Sequence, residues 1–235
     1  AAAGSNVDPD MRGGRVTPKT FRRLVLAVAV MVGLLIAPTP AAADTVADTL
    51  ATLDTLAIKG RAPKTGYERE LFGERWTDDV TVEFGHNGCD TRNDILRRDL
   101  VEVVSKPGSN GCAVLSGVLN DPFTGTVVDF VRGPGTSAEV QIDHVVALSD
   151  AWQKGAQQWD EFTRRNFAND PANLQATIGW VNQQKGDSDA ATWLPPNGSY
   201  RCAYVTRIVD VKAAYGLWVT QAEHDAIARV LAGCG

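Results

Sequence analysis

Residues 139–152, EVQIDHVVALSDAW, and residues 173–187, NLQATIGWVNQQKGD, decide how the chain is read. Glu139 to Leu148 predicts a strand rich in β-branched residues. From Ser149 the pattern changes: residues 150–167 read as helical, and the Asn169-Asp170-Pro171 turn ends that unit. Asn173–Ile178 predicts a short extended piece. Trp180–Lys185 predicts a helix closed by Gly186 in the C′ place. Strand, helical insert, strand and helix thus present His144, Asn173 and Asn182 in that order.

That order suggests a ββα metal finger, and the residue types suit phosphodiester hydrolysis. The reaction needs an activated water, a cation against phosphoryl charge and help for the departing oxygen. A neutral His144 suits the base near pH 7, above all if its second ring nitrogen is held by an acceptor. The Asn173 side-chain carbonyl is the expected acceptor. Asp143 and the amide oxygen of Asn182 are hard oxygen ligands, which favour Mg²⁺ or Mn²⁺ over zinc. Asp143 points to the opposite face of an ideal strand from His144, so a bend or strand end is required. Lys185, one turn beyond on the same helix, is expected to contact phosphate.

Upstream, residues 45–58 place Val46, Leu50, Leu53, Leu56 and Ala57 at helical spacing, with Gly60 and Pro63 ending the helix. Tyr67, Phe72 and Trp76 are candidate core aromatics, and Val80–Phe84 predicts a short strand. Asn93 to Val104 alternates between helix and strand signals. Ala113–Leu119 and Thr126–Val131 predict strands joined by a turn at Asn120-Asp121-Pro122. Downstream, Tyr200–Tyr215 predicts a helix, and Thr220 with Glu223 predicts a capping box opening the last one. The fold class is α+β, a single domain with the finger flanked by helices.

Residues 1–10 precede the first Met and carry no pattern. From Met11, the basic residues Arg12, Arg15, Lys19, Arg22 and Arg23 precede an uncharged run from Leu24 to Ala37. Ala41-Ala42-Ala43 follows, which describes a secretory signal peptide at 11–43 cleaved after Ala43. As a helix that apolar run reaches only about 21 Å, short of the roughly 30 Å hydrocarbon core. The expected product is therefore secreted, with no stable membrane association. Residues 44–65 are read as a helix and linker, and 66–235 as the main domain with its finger core at about 139–188.

All four cysteines, Cys89, Cys112, Cys202 and Cys234, lie in the exported part, where an even count reads as two disulfides. Cys89–Cys112 and Cys202–Cys234 are preferred because each closes a local segment. Zinc is the rival reading, although no C-x-x-C pair exists.

The 235 residues carry 23 Lys plus Arg against 28 Asp plus Glu, and 44% are hydrophobic. Such a composition excludes a wholly disordered chain, a collagen-like fibre and a multi-span membrane protein. Residues 1–43 hold five basic and two acidic side chains, so the remainder has 18 basic and 26 acidic, net −8. That balance excludes a protein that coats nucleic acid by bulk charge, but not one that cuts and releases it.

The Asp143–Trp152 run and the Asn182–Asp187 ending resemble HNH endonucleases, specifically the branch sharing the C-terminal nuclease domain of GmrSD-type restriction enzymes. Trp193-Leu194-Pro195-Pro196 is similar to small exported actinobacterial-type members, as are Cys89-Asp90-Thr91-Arg92 and Arg98-Asp99. The likeness spans roughly Gly66 to Cys234. It implies His144 as general base, Asp143 as metal ligand, Asn173 as the middle Asn, and Asn182 where the last His of the name usually stands. It also implies a divalent metal, Mg²⁺ or Mn²⁺, and products with 5′ phosphates. The expected partner is DNA, with RNA open, cut with little sequence specificity because no base-reading module is visible. No protein partner is inferable.

Blander readings compete. Arg92, Arg97 and Arg98 are either a phosphate-binding patch or a solvated face balanced by Asp94 and Asp99. His86 reads as structural and His224 as a surface residue. Trp152, Trp159, Trp180 and Trp193 read as packing residues. A non-catalytic exported nucleic-acid or envelope-binding protein that keeps the finger as scaffold is the main functional rival. A secreted phosphodiesterase acting on smaller substrates is another.

Overall fold

A computed structural model describes residues 40–234, with side chains from Thr45 onward. The leader expected at 11–43 lies outside the described residues up to residue 39. The first helix, α1 (Pro40–Thr55), runs through the expected cleavage point. Its buried Leu53, with Leu56 just beyond, joins a large apolar core shared with the two C-terminal helices, α6 (Arg201–Tyr215) and α7 (Gln221–Leu231). No helix among the described residues is long and apolar enough to cross a membrane.

The ambiguous stretch from Asn93 resolves into both elements in succession. Helix α2 (Thr91–Asp99) starts at Asp90, whose carboxylate accepts the Asn93 N–H at 2.8 Å, a standard N-cap. Strand β1 (Leu100–Ser105) follows without a loop, then β2 (Val114–Asn120) and β3 (Val127–Val131) in an antiparallel meander. The strand expected at Val80–Phe84 does not form. Backbone bonds from Gly85 to Val82 and from His86 to Asp78 fold it into consecutive turns instead. Gly85 approaches the Val80 carbonyl so closely that an added Cβ would lie 2.0 Å from its oxygen.

Strands β4 (Val140–His144) and β5 (Leu174–Ile178) pair antiparallel, with Asp143 opposite Gln175 and His144 opposite Leu174. Helix α5 (Gly179–Lys185) follows β5 directly and packs on both strands. The insert between β4 and β5 was expected as one helical run. It is broken at Gly155, whose φ of 135° no L side chain adopts easily, into α3 (Leu148–Gln153) and α4 (Glu161–Asn169).

Two cores meet at β4. Val140 and Ile142 join a smaller core with Ile95, Leu96, Phe130 and Leu174, whereas Val145 and Val146 enter the large helical core. The end of β4 is thus fixed from both sides.

Both disulfides form as preferred, Cys89–Cys112 and Cys202–Cys234, and no free cysteine remains for zinc. Thr220 caps α7 by accepting the Glu223 N–H at 3.1 Å. The reciprocal half of the expected capping box is missing, because the Glu223 carboxylate is drawn to Lys154 (2.7 Å) and Lys212 (2.9 Å). Asp150 and Asp189 also bind Lys154, and partly exposed Arg61 closes the cluster against both. Three cations and three carboxylates therefore pin α3, α6, α7 and the loop after α5 together. Pairing of this kind is what makes buried charge tolerable.

Candidate active site

Asp143 and His144 stand on opposite faces of β4, yet both line one pocket of about 280 Å³ because the strand ends there. Asn173 makes that ending. Its backbone oxygen accepts the Val145 N–H, its side-chain oxygen accepts the Val146 N–H, and its amide donates back to the Val146 carbonyl, at 2.8, 2.8 and 3.2 Å. The Asn173 side chain thus extends the β4–β5 ladder by one false residue and is fully buried.

The acceptor expected from Asn173 is instead the carbonyl oxygen of Ala168, near the end of α4, 2.8 Å from His144 Nε2. A carbonyl only accepts, so Nε2 carries the proton and Nδ1 bears the lone pair. Nδ1 has no hydrogen-bond partner among the described residues. The Trp76 indole lies against the imidazole, nearly parallel at 10° with centroids 5.8 Å apart. Burial pushes the His144 pKa down to about 3. The Ala168 bond opposes this, and the charges of Arg69 and Lys185 add to it. His144 is therefore neutral at pH 7.

Asp143 is buried, with Oδ1 2.9 Å from the Lys185 ammonium and Oδ2 without any hydrogen-bond partner. Burial raises its pKa and the nearby Lys185 lowers it. Lys185 was expected to reach phosphate. It is buried instead, and its ammonium also donates to the His144 carbonyl at 2.8 Å. Asn182, on α5, donates its amide N–H to Gln141 Oε1 at 2.8 Å. Gln141 in turn donates to the Ala138 carbonyl at 3.2 Å, which fixes its own orientation and leaves Asn182 Oδ1 free.

Among the described residues, no three His, Cys, Asp or Glu side chains gather as a metal cage. The donors available at the pocket are the orphaned Asp143 Oδ2 and the Asn182 amide oxygen. These two hard oxygens, one of them a buried carboxylate oxygen without a hydrogen-bond partner, suit Mg²⁺ or Mn²⁺, which keep several waters, better than zinc.

The arginines expected as a phosphate patch have other partners. Arg92 donates to the Ser137 and Val140 carbonyls, Arg98 to those of Pro171 and Leu174 and to Asp99, and Arg97 pairs with Asp94. Arg92 and Arg98 hold α2 against β4 and β5. Trp152 and Trp159 pack in the core region as expected, whereas Trp180 is 57% exposed on α5. Sequence reading passed over Arg69 and took Tyr67 and Trp76 only as core aromatics, yet Tyr67 and Arg69 line the pocket and Trp76 lies against His144. They come from a loop-rich segment far away in sequence, and no local spacing connects them to His144.

Residues 90–230 match the family model of the GmrSD restriction endonucleases, C-terminal domain. The chain belongs to this family. Asp143, His144, Asn173 and Asn182 all fall within the matched residues, whereas Tyr67, Arg69 and Trp76 precede them. The chain is also similar to an uncharacterized secreted protein of Arthroderma benhamiae, 36% identical over 217 residues, covering 92% of this chain and 98% of that relative. No solved structure matches it.

Proposed function

We propose that this GmrSD C-terminal domain protein is an exported, metal-dependent endonuclease of the HNH type that hydrolyses DNA with little sequence specificity. The observation that carries the reading is His144. One ring nitrogen is held by the Ala168 carbonyl and the other is unengaged, and His144 lines one pocket with Asp143, which has an unpartnered oxygen, and Asn182. The β4–β5–α5 unit supplies the ββα frame.

His144 Nδ1 takes a proton from a water whose oxygen attacks phosphorus. The bond from phosphorus to the 3′ oxygen breaks, the 3′ oxygen takes a proton from solvent, and the new 5′ phosphate keeps the water oxygen. A phosphodiester in the pocket brings negative charge toward the imidazole and raises its proton affinity from the low resting value. Trp76 and Ala168 hold the ring so that Nδ1 needs no reorientation. Asp143 and Asn182 would hold a divalent cation, which supplies neutralisation of phosphoryl charge and stabilisation of the leaving oxygen. Lys185 favours the ionised form of Asp143 against the upward push of burial, while contacting no substrate.

Export is supported by the leader pattern, the two disulfides and the secreted relative. The test is nicking of supercoiled plasmid by the mature chain in Mg²⁺, with and without EDTA, followed by end analysis. Kinase labelling of the products only after phosphatase treatment is expected. Ends that label directly, or cutting that EDTA leaves unchanged, contradict the reading.

A further inference from the structure

We infer that Arg69, which lies ahead of the family-matched residues, is the group that binds the scissile phosphodiester in the His144 pocket. This rests on the endonuclease reading and adds the anion site that reading lacks. Lys185, Arg92 and Arg98 are committed to internal partners, as described above. Among the described residues, Arg69 is the Lys or Arg side chain that lines the pocket.

Its charge is uncompensated there. The two carboxylates of the pocket each have a cation, Asp143 with Lys185 at 2.9 Å and Asp187 with Lys64 at 2.8 Å. Arg69 makes no ion pair among the described residues. One Nη1 N–H is anchored on the Gly73 carbonyl at 3.1 Å, which leaves the rest of the guanidinium fork to donate. The side chain is partly buried, and burial lowers its pKa, with the charge of Arg75 adding to this. A planar, permanently charged fork with free N–H groups matches two non-bridging phosphate oxygens, and a partly desolvated site strengthens such bonds.

The segment carrying Arg69 is held before substrate arrives. Phe72, three residues on, is fully buried in the large core. Ala62 N–H donates to the Gln153 carbonyl at 2.8 Å, and Arg61 grips Asp150 and Asp189. A donor placed this way costs little reorganisation in the transition state. An acidic protein thereby gathers an anion through one local cation rather than through its overall field.

The test measures two properties of Arg69→Ala and Arg69→Lys in the full mature chain. The first is binding of a fluorescent DNA dodecamer in EDTA across a salt series; the second is plasmid nicking in Mg²⁺. Expected for Arg69→Ala are weaker binding, a salt slope reduced by about one unit, and a nicking rate lower by about 10²–10³-fold. Millimolar methylguanidinium should restore part of that rate. Arg69→Lys, which keeps the charge but not the fork, should retain the salt slope and recover the rate only in part. Unchanged affinity, salt slope and rate in Arg69→Ala overturn the assignment. So does a loss in both variants that tracks loss of the native circular dichroism spectrum. If wild type binds but never cuts, and Arg69→Ala still lowers the salt slope, the phosphate site stands and the hydrolytic reading falls.

Discussion

The Trp76 indole and the His144 imidazole lie nearly parallel, 10° apart with centroids 5.8 Å from each other, although they are 68 residues apart and Trp76 sits at a positive φ of 60°. A bulky residue rarely adopts that conformation, and such backbone strain persists where the surroundings over-determine it. Thr91 supplies the restraint, donating its backbone N–H to the Trp76 carbonyl and its hydroxyl to the Thr77 carbonyl. Trp76→Ala should therefore lower kcat on the order of 10- to 100-fold with little change in KM, because only the ring's placement is lost. Trp76→Phe should restore most of it. A purely structural role would instead show as a lowered melting temperature in both variants with kcat intact.

Lys185 pairs with Asp143, and both side chains are almost wholly buried. Removing one partner of a buried pair strands the other charge, at a cost of about 3–5 kcal/mol. Lys185→Ala should lower the melting temperature strongly, and Asp143→Asn in the same chain should recover part of the loss. Measured by calorimetry, equal damage from the single and double variants would contradict the pairing.

The six-charge cluster around Lys154 predicts a similar sensitivity among residues that do not line the pocket. Glu223→Gln leaves Lys154 and Lys212 with fewer acceptors while preserving the Thr220 cap, which uses the Glu223 backbone N–H. Loss of stability without loss of helix initiation is expected, read as a lower urea midpoint with unchanged far-ultraviolet circular dichroism.

His144 makes stability depend on pH in metal-free buffer. Its folded pKa of about 3 lies below the ordinary value of 6.5. The unfolded chain therefore binds the extra proton first, and the stability from keeping the ring neutral is complete above pH 6.5. That stability declines as pH falls toward 3. His144→Gln should flatten this part of a melting-temperature profile, and an unchanged slope would contradict it.

Several site features were legible in sequence because they are local. A strand carrying Asp-His, read as running on to Leu148 but ending at His144, an extended piece opening with Asn and a helix carrying Asn182 each follow from short-range pattern. Residue type does not reveal whether a polar side chain faces solvent, so Lys185, Arg92 and Arg98 read as surface groups and are in fact internal partners. Asn173 was expected at the His144 ring, whereas its amide substitutes for a backbone unit at Val146. Val80–Phe84 has strand-forming residues, but the tight approach of Gly85 to Val80 overrides them. Arg69 and Trp76 reach the pocket only through tertiary packing that no spacing encodes.

The central claim is that His144 activates the attacking water. Single-turnover nicking of supercoiled plasmid in Mg²⁺ should fall by about 10²–10⁴-fold in His144→Ala, with the fold and both disulfides intact. Equal cutting by wild type and His144→Ala, or no cutting by either with any divalent metal, would contradict the account.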